Sequence, residues 1–502
     1  MTRHLFFGIA ISLALGAGWL VVRLTGVEPV ALWTDRLVFL LIAVIAGYFF
    51  YARRQPHLRL PWRRVTQSAH GMSALVVLSV FIAIGLLDSL HYRPALDGRG
   101  ARGEIAHSSE VLSVFDAIAK PLTAHRERTY SAPFATRAFA RETLEVPGPD
   151  GRPRQVREFP RLTSGGAHLE DEAERGRDVL ARTTLGLGVA SLLWGVIAAV
   201  GTFSQARRAR RPAREAWRAI WRAETRTPWR AVLITSGVLL ALAGPALTLC
   251  ASYHILGTDK VGRDVFYLAL KSIRTGLVIG TLTTLVLLPF AVALGTMAGY
   301  FRGWVDDLIQ YLYTTINSIP GVLLIAAAVL MMQVVIDRHT DLFPTGAQRA
   351  DVRLLVLCAI LGLTGWTTLA RLLRGEALKL RELEFVQAAQ AFGVRSERII
   401  TRHIFPNVMH IVLITLVIEF SSLVLAEAVL SYVGVGVDPS MISFGTMINA
   451  ARLEMSREPV VWWTLAAAFV FMFVLVLAAN LFADAVRDAF DPRVNVGALV
   501  PA

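Results

Sequence analysis

Ten apolar runs leave this 502-residue chain very few folds. They lie near residues 5–23, 37–52, 71–89, 184–203, 231–250, 275–300, 308–336, 354–373, 408–433 and 460–482. Each is about long enough to cross a hydrocarbon core of roughly 30 Å as a helix, the second being the shortest. Lipid offers the backbone no hydrogen-bond partner, so runs like these must satisfy their own N–H and C=O groups as helices. The expected fold class is an all-α integral membrane protein with about ten transmembrane helices, and its first partner is the lipid bilayer. A hydrophobic fraction of 54% agrees with this, as does the mean hydropathy of +0.52.

Loop charge orients the spans. Residues 52–70 carry Arg53, Arg54, Arg59, Arg63 and Arg64 and no acid, and residues 204–230 carry nine arginines against Glu215 and Glu224. Residues 373–407 are also basic. With ten spans all three loops fall on one side, which the positive-inside rule makes the cytoplasm, and both termini join them. The first run has a weak small-x-small site at Ala14–Gly16. The spans that follow it favour an uncleaved anchor. The net charge of +13 thus reflects topology and gives no reason to expect nucleic-acid binding.

The chain divides into a four-span part, residues 1–203, and a six-span part, residues 231–495, with a short tail at 496–502. Residues 90–183 form a hydrophilic insert that parity places outside. It is expected to be small and partly ordered, helical around Val111–Ile118 and loop over 147–166. The Arg-rich linker 204–230 contains Trp217, Ile220, Trp221 and Trp229, an amphipathic pattern expected to lie along the membrane surface. On this division the six-span part is expected to insert without residues 1–203.

The chemistry of this chain is narrowed by what it lacks. Its four lysines (Lys120, Lys260, Lys271, Lys379) never follow a glycine, so no phosphate-binding Gly-Lys-Ser/Thr loop exists. There is no H-E-x-x-H and no G-x-S-x-G elbow. Cys250 and Cys358 both sit in apolar runs and give neither a disulfide framework nor a zinc cluster. No catalytic residue, resident metal or cofactor is expected.

One polar stretch is patterned from end to end. In residues 384–407, Phe385, Ala388, Ala389 and Phe392 fall at helical spacing on one face. Gly393 then breaks the pattern, Ser396 is placed to cap a second helix, and Pro406 to begin the next span. A helix, a glycine elbow and a second helix on the water side can receive force from a partner and pass it to the spans.

This stretch resembles the EAA loop of ATP-binding-cassette importer permeases, with Gln387-Ala388-Ala389, three residues, Gly393, then Ile404-Phe405-Pro406. Four further segments extend the resemblance to the dipeptide/oligopeptide/nickel branch, C-type subunit: HILGTDKVGRDVF (254–266), AGYFRGWVDD (298–307), LAEAVLSYVGVGV (425–437) and NLFADAVRDAFDPR (480–493). The resemblance covers roughly residues 231–495. It implies six spans with both ends inside a bacterial inner membrane. It also implies two ATPase subunits that bind ATP and Mg and dock on 384–407, a second related permease subunit, and an external solute-binding protein. Gln387 departs from the family's glutamate and removes any salt bridge that residue makes. The four-span extension with its insert also departs from the family.

Within the resemblance, Gly257, Asp259, Gly262, Arg263 and Asp264 form an expected external gate or binding-protein contact. Glu419 and Glu427 stand eight residues apart on one helix face. They either line a translocation path that favours a cationic group or hold helices together by hydrogen bonds. The function expected is transmembrane permease of an importer for peptides or peptide-like solutes, working by alternating access. The alternative is a non-transporting scaffold or sensor that retains the ATPase-docking loop.

Overall fold

The computed structural model describes residues 28–99, 105–108, 110–147, 153–339, 342–343 and 345–490. The apolar run near 5–23, the tail 496–502 and the end of the 480–493 motif lie outside these. Among the described residues nine helices are long and apolar enough to cross a membrane, one for each of the other nine runs.

The four-span part contributes α1 (Trp33–Arg54), α2 (Pro56–Val65), α3 (Ala69–Asp88), two short helices α4 (Val114–Ile118) and α5 (Lys120–Ala124), and α6 (Arg175–Ala209). The linker forms α7 (Ala213–Trp221). The six-span part contributes α8 (Trp229–Leu249), α9 (Val265–Phe301), α10 (Trp304–Ser318), α11 (Gly321–Arg338) and α12 (Gly346–Arg381). It continues through α13 (Glu384–Ala391), α14 (Ser396–Ile399), α15 (Phe405–Val433), α16 (Phe444–Glu454) and α17 (Trp463–Phe490).

The α9–α12 pair is the most extensive helix contact and forms the centre of the bundle. One end of the core gathers Leu369, Leu373, Ala377, Ile404 and Val408, and the other gathers Ile279, Leu354, Leu357 and Leu423. The run read as 308–336 is two helices, because Ile319 is extended before Pro320. A proline disfavours helical geometry in the residue before it, so Pro320 breaks the span. Pro289 is accommodated within a continuous α9.

The two parts of the sequence are not two parts in space. Helix α3 packs against α17, α9 and α8, with Phe81 meeting Ile273, Val424, Phe444 and Leu475. Helix α8 takes α6 as its main partner. There the backbones touch: a Cβ on Gly186 would lie 2.6 Å from the Gly244 carbonyl oxygen, so only glycine permits the approach. The linker helix α7 is amphipathic as expected. Its apolar side is covered by protein, with Ile220 fully buried against Ala198 and Leu233 of the flanking spans.

The insert at 90–183 is more ordered than its composition suggested. Strand β2 (His91–Arg93) lies between β1 (Glu28–Val30) and β5 (Leu112–Ser113), and β3 (Ala95–Arg99) pairs with β4 (Ile105–His107). The stretch 147–166, expected as loop, contains β7 (Pro153–Glu158), antiparallel to β6 (Glu142–Pro147). Helix α4 falls within the expected helical region and starts with a reciprocal cap between Ser113 and Asp116.

Candidate functional site

The elbow at 384–407 is built as a helix stop. Gly393 has φ +72°, its N–H donates to the Gln390 carbonyl (3.0 Å), and the Val394 N–H donates to Ala389 (3.1 Å). This pair of bonds closes α13 through a left-handed residue. Val386, Ile399 and Ile404 are fully buried and tie the loop to the core. Ser396 does not cap α14: Arg395 holds the cap position without a side-chain bond, and Ser396 is the first helical residue. A π-helical turn, Ile400–Ile404, then joins α14 directly to α15, with Pro406 in its first turn. The second helix is thus one end of a continuous rod that includes the span.

The outward face of the elbow is apolar. Phe392 is 87% exposed and Phe385 is 46% exposed, and Ala388 is exposed beside them, whereas Ala389 is half-buried. Phe392 thus leaves most of its ring in water, an unfavourable place for an apolar side chain. Gln387 donates through Nε2 to the Glu382 carbonyl at 3.2 Å.

The structure brings a second matched segment, 298–307, against this loop. Arg302 pairs with Glu382, Arg381 Nη1 donates to the Tyr300 carbonyl at 2.7 Å, and Gln390 Nε2 donates to the Tyr300 hydroxyl at 3.3 Å. Arg374 grips Asp306 through two bonds of 2.6 Å. Reading the sequence does not connect these residues, which lie about 70–90 positions apart in each pair. Opposite charges on neighbouring loops are the only available signal.

The 254–266 motif is covered by the insert. Thr258 and Asp264 are buried, and Gly257 and Gly262 both have positive φ. A Cβ at Gly262 would lie 1.9 Å from the Glu127 carbonyl oxygen, so the insert can close over this turn only because the residue is glycine. Asp264 caps α9 by accepting from Phe266 N (2.8 Å) and Tyr267 N (3.2 Å), and its other oxygen meets His254 Nδ1 at 2.8 Å. Asp259 accepts from Val261 N and Arg263 N and pairs with the Arg263 guanidinium at 2.9 Å. Arg263 is the exposed member of the group. The insert thus packs over the buried residues of this motif, Gly257, Thr258, Gly262 and Asp264, while Lys260, Val261 and Arg263 stay exposed.

His254 holds the insert by charge. Its Nε2 lies 3.5 Å from Glu127 Oε1. Burial alone would push the imidazole down, but the facing Asp264 and Glu127 carboxylates lift it to about 9. Burial likewise opposes ionisation of Glu127. His254 and the backbone N–H groups of Thr163, Gly165 and Ser164 outweigh it and hold that carboxyl well below the usual range. A raised folded-state value means that the histidine's contribution is complete below about pH 6.5 and is lost as pH rises through about 9. Amide exchange across 126–139 should therefore be slow at pH 6 and, after correction for intrinsic rate, accelerate above pH 9. Equal protection at both would refute the linkage.

The two acids of the α15 face part company. Glu427 is fully buried, and its Oε1 accepts from Ser431 Oγ (2.7 Å) and from Ser443 Oγ (2.8 Å), the residue that caps α16. Glu419 is half-buried and has no hydrogen bond or ion pair among the described residues.

A third polar group joins the extension to the bundle, and no sequence pattern announces it. Arg274 on α9 donates through Nη2 to Asp35 of α1 (2.7 Å) and through Nε to Ser89 (3.2 Å). Asp351 on α12 accepts from Trp33 N (2.7 Å) and Thr34 N (3.2 Å) and so caps α1 from another part of the chain. Lys271 meets Asp116 of the insert at 2.5 Å and lies 3.5 Å from Asp88.

Residues 291–496 match the family model described as "Binding-protein-dependent transport system inner membrane component". The chain is similar to the oligopeptide transport system permease protein OppC of Mycobacterium tuberculosis, with 33% identity over 239 residues, covering 48% of this chain and 76% of that protein. It is similar to the dipeptide transport system permease protein DppC of Alkalihalophilus pseudofirmus, with 31% identity over 279 residues, covering 53% and 84%. Among solved structures, an inward-facing MetNI methionine transporter chain aligns over 45% of this chain and 97% of its own length at 16% identity. Its TM-score of 0.34 is too low to add to the fold described above.

Proposed function

Because the chain belongs to the inner-membrane component family of binding-protein-dependent transport systems, among the peptide-importer permeases, we propose that it moves peptides or peptide-like solutes inward by alternating access. Two ATPase subunits hold ATP and Mg and dock on the elbow. A second related permease completes the pathway, and an external solute-binding protein delivers the solute. On this reading the elbow and both termini face the cytoplasm, as loop charge argues.

The observation that carries this reading is the exposed Phe385–Phe392 face, set on a glycine stop and continuous through α14 with span α15. An apolar face led by Phe392, 87% exposed, and anchored by buried Val386 and Ile399 is suited to receive a partner's groove. Movement of that partner displaces α13, and the rod from Ser396 onward passes the displacement to the bundle. Glu419, unpaired on α15 among the described residues, is the acid of the two we assign to the path; Glu427 holds α16 in place.

Phe392→Asp places a charge at the centre of this contact while touching nothing inside the chain. The variant should insert and retain its melting temperature, yet lose co-purifying ATPase by at least roughly tenfold, as expected for removal of a central aromatic anchor. ATPase recovery equal to that of the unmodified chain would overturn the docking assignment.

A further inference from the structure

The insert and the loop before α17 border a half-open cavity of about 580 Å³ that the docking elbow and the proposed path do not use. Its walls are β7 with Phe159, the segment 137–141, and the 457–461 loop. Arg157 and Phe159 stand two residues apart on an extended stretch and therefore share a face. Both line the cavity, together with Arg137, Arg141, Phe139 and Arg457.

The lining carries four arginines and one acid. Arg137 Nε meets Glu172 at 2.5 Å, and Arg457 Nε meets Glu454 at 2.6 Å. Arg141 stacks its guanidinium 5.2 Å from the Phe159 ring centre and has no carboxylate partner among the described residues. Among the same residues Arg157 has neither a ring nor a carboxylate beside it. Glu458 is the single acid of the lining itself; Glu172, Glu454 and Glu158 act on Arg137 and Arg457 from outside the lining and leave Arg141 and Arg157 without an ion pair among the described residues. A guanidinium presents parallel N–H groups that fit a carboxylate in a two-point contact. Phe139 and Phe159 offer apolar surface alongside. A volume of this size lies within the range of small-ligand sites, and aromatic walls with a few convergent polar groups are their usual lining.

We infer that this cavity binds the C-terminal carboxylate of a short peptide, with Arg157 and Arg141 as the carboxylate clamp and the two phenylalanines accepting an apolar side chain. The inference rests on the peptide reading above and on the external placement of the insert. Through this cavity the insert holds solute at the outer face, apart from the elbow that receives the ATPases.

The test is equilibrium binding to the purified full chain in lipid nanodiscs, without ATPase or uptake. The probe is a fluorescent tripeptide, N-labelled Ala-Phe-Ala, compared with its C-terminal amide. The free acid should bind, and the amide should bind at least about tenfold more weakly, the usual effect of losing a charge-assisted pair. Arg157→Gln and Arg141→Gln should each weaken the acid about tenfold and leave the amide unchanged, whereas Arg157→Lys should retain part of the affinity. Equal binding of acid and amide, absence of binding, or an unaltered Arg157→Gln variant would overturn the proposal. Because no transport is measured, such a failure leaves the importer reading standing.

Discussion

Asp35→Ala should destabilise the folded chain by ~3–5 kcal/mol, the usual effect of removing one partner from a buried ion pair. Asp35 is 1% exposed, and Arg274 lies buried on α9 with Asp35 2.7 Å away. Removal of the carboxylate strands a guanidinium inside the bundle. It also takes the acceptor from His91 Nδ1 (2.8 Å) and Leu32 N (3.3 Å). Thermal unfolding in detergent should report the loss directly. The double variant Asp35→Ala/Arg274→Met should recover much of it, since an apolar side chain of similar length does not need a counter-charge. A single variant as stable as the parent would show that the pair does not stabilise the bundle.

The same geometry bears on the expectation that the six-span part inserts without residues 1–203. Without them Arg274 loses Asp35 and Ser89, Lys271 loses Asp88 and Asp116, and the faces of α9 and α17 that α3 covers are bared. Helix α8 loses α6, its main partner. The extension is accordingly a structural part of the bundle, and its truncation should yield aggregated or degraded protein.

Gly393→Val should cut peptide uptake at least roughly tenfold while leaving membrane insertion intact. At φ +72° a residue with a Cβ is strained by ~1–2 kcal/mol, and a β-branched one by more. A shift of that size moves a two-state elbow by roughly tenfold. The space around the position is open, with no heavy atom within 4 Å of a Cβ built there, so the effect is confined to backbone geometry. Gly393→Asn, which tolerates the left-handed region, should therefore keep substantial uptake. Normal uptake by the valine variant, or equal loss in both, would argue that the elbow's closure is not part of coupling.

Much of the membrane architecture is legible in residues 28–490, because span length and apolar continuity are local properties that lipid enforces one segment at a time. All nine described spans fall on the expected runs. The elbow is legible for the same reason: helical spacing, a glycine stop and a following proline lie within 24 consecutive residues, 384–407. The departures are also local in kind. Ser396 has the chemistry of a cap but stands one position inside its helix, and a Pro- and Gly-rich stretch conceals strand β7, whose pairing with β6 supplies what its composition lacks.

The sequence by itself therefore determined that this chain is helical, spans the membrane many times and presents a patterned elbow between two spans. Periodicity and hydropathy act within a segment, so they survive reading in one dimension. Only the tertiary structure decided that α3 joins the six-span bundle, that Asp351 caps a helix some 317 residues away and that four arginines converge on one cavity. Burial and charge pairing depend on which segments meet, and nothing local to either partner records that meeting.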